Sequence, residues 1–183
     1  MYEKLVSYKL SSFREKYGLL PTAQFAHRKS LGCTDALLTT SQHLQIFLDA
    51  WMESYIVQLD FSKAFDRVNY RGLLFKLKSI GVGGSVLSIR TEFLSDHRQR
   101  VVVDGAAREW IPIISGMPQG SLFCPLLFIL CTREKFQLVE NRLFAYADES
   151  TQLAVVRKPA DRPAVAASLN GDLARIQEWC NHW

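Results

Sequence analysis

The sequence predicts an α+β fold in which helices pack on a small sheet built from hairpins, and three observations carry that expectation. Two apolar runs, RLFAYA and TQLAVV, flank a short acidic turn and read as an antiparallel pair. A third run, SYIVQLD at 54–60, has the β-branched and aromatic content of a buried strand. Around these lie segments whose apolar residues recur at spacings of three and four, as on amphipathic helices.

Taken in order, residues 1–17 place Leu5, Val6, Leu10 and Phe13 on one helical face, which ends near Gly18 before Pro21. The basic and small residues of QFAHRKSLGCT read as a loop. A second helix follows on Ala36, Leu37, Leu44, Phe47 and Leu48, then the strand that ends in Asp60. KAFDRVNYRGLLFKLKSI, 63–80, is expected to be helical in its second half, with Gly81 as the stop. A short helix at about 85–95 precedes RQRVVVDGAAREWIPI, where Asp104 and Gly105 supply hairpin turn chemistry. In SGMPQGS, Gly116, Pro118 and Gly120 give a loop, Ser121 is a candidate N-cap, and the apolar run behind it reads as a core helix of about 122–138. Leu143 to Val156 reads as a hairpin with Asp148 and Glu149 at its tip. Asp161 and Pro163 then open a last helix on Leu169, Leu173, Ile176, Cys180 and Trp183. It stops without a cap or polar tail, which suggests a chain cut inside a larger domain.

Composition narrows the classes. The 183 residues, 48% hydrophobic and 11% aromatic, supply one core, and no linker or repeat divides them. The most apolar stretch, LFCPLLFILC, is too short to span a membrane and carries Pro125. The N-terminus carries Lys, Glu and Arg at helical spacing and does not read as a secretory signal, so an intracellular location, nucleus or cytoplasm, is expected. Cys33, Cys124, Cys131 and Cys180 form no CxxC pair and the four histidines no HExxH, which argues against zinc and for reduced thiols. A net charge of +4 is compatible with a polyanionic partner without requiring one.

The chemistry lies in the acids. Adjacent carboxylates about 4 Å apart repel by roughly 4 kcal/mol at an effective dielectric near 20, so a positive group is expected beside FAYADES. If the strand ending in Asp60 neighbours the hairpin carrying Asp148 and Glu149, three carboxylates meet at one sheet edge. Such an edge can hold two divalent cations about 3.5–4 Å apart, the arrangement that activates an attacking oxygen and neutralises a leaving phosphate.

QLDFSKAFDRV, SGMPQGSLFCPLLF and FAYADES, in that order, resemble the palm motifs of reverse transcriptases, especially those of non-LTR (LINE-like) retrotransposons. QFAHRKSLGCTDAL looks like the family's fingers segment and RQRVVVDG like its hairpin before the second motif. The resemblance runs from about residue 19 to Trp183; each motif alone is weak, and the three in order are specific. It implies a right-hand polymerase palm, an antiparallel sheet packed on helices, with part of the fingers and no thumb. Residues of about 1–53 would be fingers-side helices, and about 54–183 the palm with an inserted fingers-side hairpin segment. It further implies RNA-directed DNA polymerase activity with Mg²⁺ or Mn²⁺, two ions, held by Asp60, Asp148, Glu149 and the backbone carbonyl of Phe61. The partners implied are an RNA template, a DNA primer and deoxynucleoside triphosphates. Phe65 matches the aromatic residue beneath the incoming sugar, where a rigid ring excludes a 2′-hydroxyl. Gln119 and Gly120 match the loop that approaches the nucleotide, and Arg28, Lys29, Arg98 and Arg100 are candidate phosphate contacts.

The chain departs from the family pattern at the hairpin, where Glu149 stands in place of a second aspartate. One added methylene displaces the carboxylate, and misplacement of about 1 Å can cost about 100-fold in rate, so impaired catalysis is expected. Phe123 and Cys124 replace a usual Leu-Gly, Gly171 interrupts the last helix, and segments before and after those present here carry further family contacts. Two readings therefore stand beside each other: a polymerase domain fragment, and a catalytically inactive remnant that binds nucleic acid through its basic surface. A plain structural domain is a third. Nothing in the sequence speaks to oligomeric state.

Overall fold

Three antiparallel strands form the main sheet of the computed structural model, which describes residues 2–83, 98–113, 115–117, 120–122 and 124–182. β1 (Glu53–Leu59) and β6 (Arg142–Tyr146) flank β7 (Glu149–Val156), the central strand. β1 pairs with β7 from Glu53 opposite Val156 to Leu59 opposite Ser150, and β6 with β7 from Arg142 opposite Leu153 to Tyr146 opposite Glu149. Four short strands, β2 (Arg98–Gln99), β3 (Val102–Val103), β4 (Ala106–Ala107) and β5 (Ile111–Pro112), form an exposed hairpin, with Asp104 and Gly105 at positive φ in its turn as expected. The short helix expected at about 85–95 lies outside the described residues, as do Pro118, Gln119, Phe123 and Trp183.

Helices cover both faces of the sheet. On one side lies α2 (Cys33–Asp49), where Phe47 packs with Phe25, Phe144 and Leu153. On the other lies α6 (Arg162–His182), which buries Leu169, Asp172 and Ile176. The larger core is built around α4 (Cys124–Cys131), a helix buried nearly all round, with Leu10 of α1 (Tyr2–Lys16) and Leu73 and Leu77 of α3 (Tyr70–Ser79) against it. α3 begins where Asn69 Oδ1 accepts hydrogen bonds from the amides of Arg71 (2.9 Å) and Gly72 (3.2 Å). After α4 a 3-10 turn (Thr132–Glu134) leads into the single turn α5 (Lys135–Leu138), so the helix expected over 122–138 is broken into three pieces.

Several faces differ from the sequence expectation. Leu5, Leu37 and Leu48 are more than half exposed, because periodicity marks a stripe wider than the contact each helix makes. β1 is a half-buried edge strand instead of a buried one, with Ile56 49% exposed, because β7 and not β1 takes the centre. In α6 the deepest position is Asp172, fully buried, while Leu173 beside it is only half-buried.

Asp172 ties α6 to the sheet. Its carboxylate accepts from the amides of Glu140 (2.9 Å) and Asn141 (3.0 Å), the Asn141 side chain (2.8 Å), the Gln152 side chain and Arg175. Burial opposes its ionisation, but these donors outweigh that and hold its carboxyl below the usual carboxylate value. With the folded value depressed, the contribution is fully present above the unfolded value of about 3.9 and is lost as pH falls through the folded one. Asp172→Ala is expected to cost about 3–5 kcal/mol in urea unfolding at neutral pH, since it strands several buried donors. Its stability should also fall less steeply than that of the native chain between pH 4 and pH 2.

Candidate active site

β1 ends at the Leu59–Ser150 pair, so Asp60 is the next residue beyond the ladder and Asp148 lies two residues before its partner. Both carboxylates border one cavity of about 460 Å³, whose remaining wall is the segment 61–66. The register of β7 thus unites two acids far apart in the chain. Asp66, exposed and not singled out in the sequence, borders the same cavity.

The hairpin tip differs from the sequence expectation. The turn consists of Ala147 and Asp148, and Glu149 is already the first residue of β7, exposed and paired across to Tyr146. It lies outside the wall of the cavity. The tightness of the turn explains the difference: a two-residue connection needs positive φ, and Ala147 adopts it at +57°. A non-glycine residue held there stores about 1–3 kcal/mol of strain, so something must over-determine it.

Gln24 does so. It is 1% exposed, its Oε1 accepts from the Ala147 amide at 3.2 Å and from the Ala26 amide at 3.0 Å, and its Nε2 donates to the Ala147 carbonyl at 3.4 Å. Beside it the Phe25 amide donates to the Ala145 carbonyl (2.9 Å) and the Ala145 amide to the Ala23 carbonyl (2.8 Å), so residues 23–25 line the outer edge of β6. The segment read as a basic loop is therefore a brace for the hairpin. Its sequence signal was the lone glutamine among apolar and basic neighbours, which no local pattern distinguishes.

The stretch after Asp60 is a run of turns. Ala64 donates to the Phe61 carbonyl (3.0 Å), and Asp66 and Arg67 donate to the Lys63 carbonyl (3.0 and 3.1 Å), with Lys63 at φ +53°. The glycine loop docks on it: Gly116 donates to Val68 (3.0 Å) and Met117 to Phe65 (2.9 Å). Gly116, at φ +93°, comes so close that a Cβ there would stand 3.0 Å from the Asp66 carbonyl oxygen. Gly120 also has positive φ, +84°, with open space around it, and Gln119 lies outside the described residues. Phe65 borders the cavity while its ring stacks on Phe128 at 4.3 Å, so a core contact fixes its orientation.

Close by stands Lys135, which sequence reasoning passed over because nothing in REK at 133–135 marks its lysine as buried. It is 1% exposed, donates to Ser150 Oγ at 2.8 Å and lies 5.2 Å from the Phe61 ring centre. Burial pushes its ammonium down to about 8, with Asp148 and Cys180 pulling the other way.

The donors at the cavity are carboxylate and carbonyl oxygens, the kind that hard divalent cations such as Mg²⁺ take. The Phe61 carbonyl already accepts one hydrogen bond, and among the described residues no three His, Cys, Asp or Glu side chains converge as a metal-holding group. The fit is therefore one of donor chemistry and shared cavity. The four cysteines are free thiols, two of them buried. Of the candidate phosphate contacts, Lys29 and Arg98 are exposed, Arg100 is exposed and stacks on Trp110 at 4.6 Å, and Arg28 is half-buried and bonded to the Pro21 (3.1 Å) and Gln24 (3.4 Å) carbonyls. Among the described residues no helix is long and apolar enough to cross a membrane.

Residues 1–183 match the family described as Reverse transcriptase (RNA-dependent DNA polymerase), a match that begins earlier than the motifs suggested. Among curated relatives, the RNA-directed DNA polymerase from mobile element jockey of Drosophila melanogaster is 29% identical across 99% of this chain. The probable RNA-directed DNA polymerase from transposon BS of the same organism is 23% identical across all of it. The chain spans about a fifth of the length of these relatives, 20% and 21% respectively. Among solved structures, an apo telomerase from Candida tropicalis superposes with a TM-score of 0.58 at 14% identity, covering 95% of this chain and 36% of that one, a likeness of fold.

Gln24→Ala leaves a strained turn without its brace and is expected to cost about 1–3 kcal/mol in urea unfolding. Hydrogen exchange should show the loss concentrated in the amides of 145–150.

Proposed function

The chain belongs to the reverse transcriptase family and has the helices and antiparallel sheet of a polymerase palm, and from that premise we propose that it is an RNA-directed DNA polymerase domain of a non-LTR retrotransposon. The observation that carries this reading is the meeting of Asp60 and Asp148 on one cavity. The partners are an RNA template, a DNA primer and deoxynucleoside triphosphates, and the setting is intracellular. In this reading about 1–53 are fingers-side helices and about 54–183 the palm with its inserted hairpin segment.

Asp60, Asp148 and the Phe61 carbonyl would hold Mg²⁺ or Mn²⁺, with Glu149 a weaker ligand. When bound, two such ions would activate the primer 3′-hydroxyl and offset the charge on the leaving phosphate. The chain's own part is positioning. The braced hairpin fixes Asp148 against the end of β1, and the stack on Phe128 holds the Phe65 ring rigid at the cavity wall, where it excludes a 2′-hydroxyl. Gln119 and Gly120 would approach the nucleotide. Arg28, Lys29, Arg98 and Arg100 would contact phosphates without reading sequence, Arg28 the least available because backbone carbonyls engage it.

Glu149 opens a strand outside the cavity wall, which supports reduced turnover. The alternative, an inactive remnant that binds nucleic acid, is favoured by the same residue together with exposed Lys29, Arg98 and Arg100.

Extension of a DNA primer on an RNA template with Mg²⁺ separates the two. Slow extension by the native chain, none by Asp148→Ala and a gain on the order of 10- to 100-fold in Glu149→Asp are expected. Extension that survives Asp148→Ala overturns the assignment. No extension by any folded variant, with salt-dependent RNA affinity unchanged in an Asp60→Ala, Asp148→Ala double variant, favours the binder.

In the same assay Phe65→Val should raise ribonucleotide use relative to deoxynucleotide use by about tenfold or more. An unchanged ratio would mean that the ring serves only the core.

A further inference from the structure

The hairpin built by β2 to β5 is exposed along its whole length, from Arg98 to Pro112, and Val101, Val102, Val103, Trp110 and Ile111 are each more than half exposed. A two-stranded ribbon with both faces in water is marginal by itself, so this one gains from a partner. Its two ladders are out of step: between the pairs Gln99–Ile111 and Val102–Ala107, two residues on the first strand face three on the second, a β-bulge. Before the bulge, strand alternation puts Arg98 and Arg100 on one face, with Pro112 across from Arg98. Trp110 joins that face, because the Arg100 guanidinium lies over its indole at 4.6 Å. The two acids of the segment, Asp104 and Glu109, stand in the turn and in the bulged stretch, not across from these arginines. Just beyond β5 the chain is tied to the wall of the acid cavity, where Gly116 donates to Val68 and Met117 to Phe65.

We propose that this face is a docking surface for a single strand of RNA: a base stacks on Trp110, while Arg98 and Arg100 hold the adjoining phosphates. Charge and shape select that occupant. Two arginines with no acid across from them suit a polyanion. An indole more than half exposed suits a base, and such stacking tolerates any sequence. A guanidinium already held over a ring has less rotamer freedom to lose on meeting a phosphate. The hairpin also joins the loop docked on the cavity wall, so a strand lying on it is led toward the two acids. The choice of RNA over DNA rests on the polymerase reading; the chemistry of the surface does not.

Fluorescence anisotropy of a labelled single-stranded RNA, titrated with the 183-residue chain in EDTA at several KCl concentrations, tests this. Trp110→Ala should weaken binding about 5- to 100-fold with the salt slope unchanged, and Trp110→Phe should recover most of the loss. Arg98→Gln together with Arg100→Gln should flatten the slope by about 0.7 per arginine. Unchanged affinity in Trp110→Ala overturns the proposal, as does tighter binding of duplex RNA or of single-stranded DNA of the same sequence. Should Trp110→Ala not fold, Trp110→Leu, which keeps apolar bulk without a π face, decides by the same criterion. Sedimentation without RNA checks a rival occupant: a dimer that Trp110→Ala dissolves assigns the face to a second copy of the chain and also overturns the proposal. Because binding is measured without metal, primer extension in Mg²⁺ judges the polymerase reading separately. RNA affinity that depends on Trp110 while extension survives Asp148→Ala sinks that reading and leaves the docking surface standing.

Discussion

The register of the central strand is the constraint on which the rest depends. β7 is hydrogen-bonded on both sides, so its alignment with β1 and with β6 is fixed at once. Side chains alternate between faces, and a slip of one residue would exchange them all. Ser150 and Gln152 reach Lys135 and Asp172 on one face, while Leu153 reaches Phe47 and Phe144 on the other. The same alignment brings the end of β1 level with the hairpin tip, so the cavity is a consequence of how the core is packed.

Around that strand the fold spends stability in two ways. Ala147 holds positive φ, which a glycine would adopt with less strain, and Gln24 keeps it there with two hydrogen bonds, one to its amide and one to its carbonyl. Lys76, Lys135 and Asp172 are nearly or wholly inaccessible, and each is given partners: Lys76 donates to the Cys131 carbonyl and pairs with Glu134, both at 2.8 Å. Buried ionic groups contribute less net stability than their contacts suggest, but they penalise wrong registers heavily because a slip would leave a charge unpaired. Here Lys135 and Asp172 mark the two places where α5 and α6 meet the sheet, while Lys76 ties α3 to the end of α4 and the turn after it.

These features bear directly on function. A polymerase centre needs few reactive side chains and close control of where they stand. In the proposed reading Asp60 and Asp148 would meet that need through a ladder end and a braced turn, and Phe65 through its stack on Phe128. Glu149 fits less well: at the first position of a strand its direction follows the pleat, and the cavity wall passes it by. Shared ancestry accounts for the motif order, and local geometry for the residue that departs from it.

The sequence by itself determined the elements and the family. Strand composition at 54–60, the acid-tipped hairpin and the loop SGMPQGS are local signals, and their order is specific because unrelated chains rarely combine them. The meeting of Asp60 and Asp148 at one sheet edge was legible for the same reason. Tertiary structure alone decided which strand is central, which leucines of α1 and α2 face water, that Glu149 belongs to a strand, that Gln24 bonds to the hairpin turn and that Lys135 is buried against Ser150. Each of these depends on contacts between residues distant in the chain, where burial and hydrogen bonding, more than propensity, set the energy. A glutamine in a loop and a lysine in a charged tripeptide carry no local mark of being buried, because their partners are supplied by segments more than ten residues away.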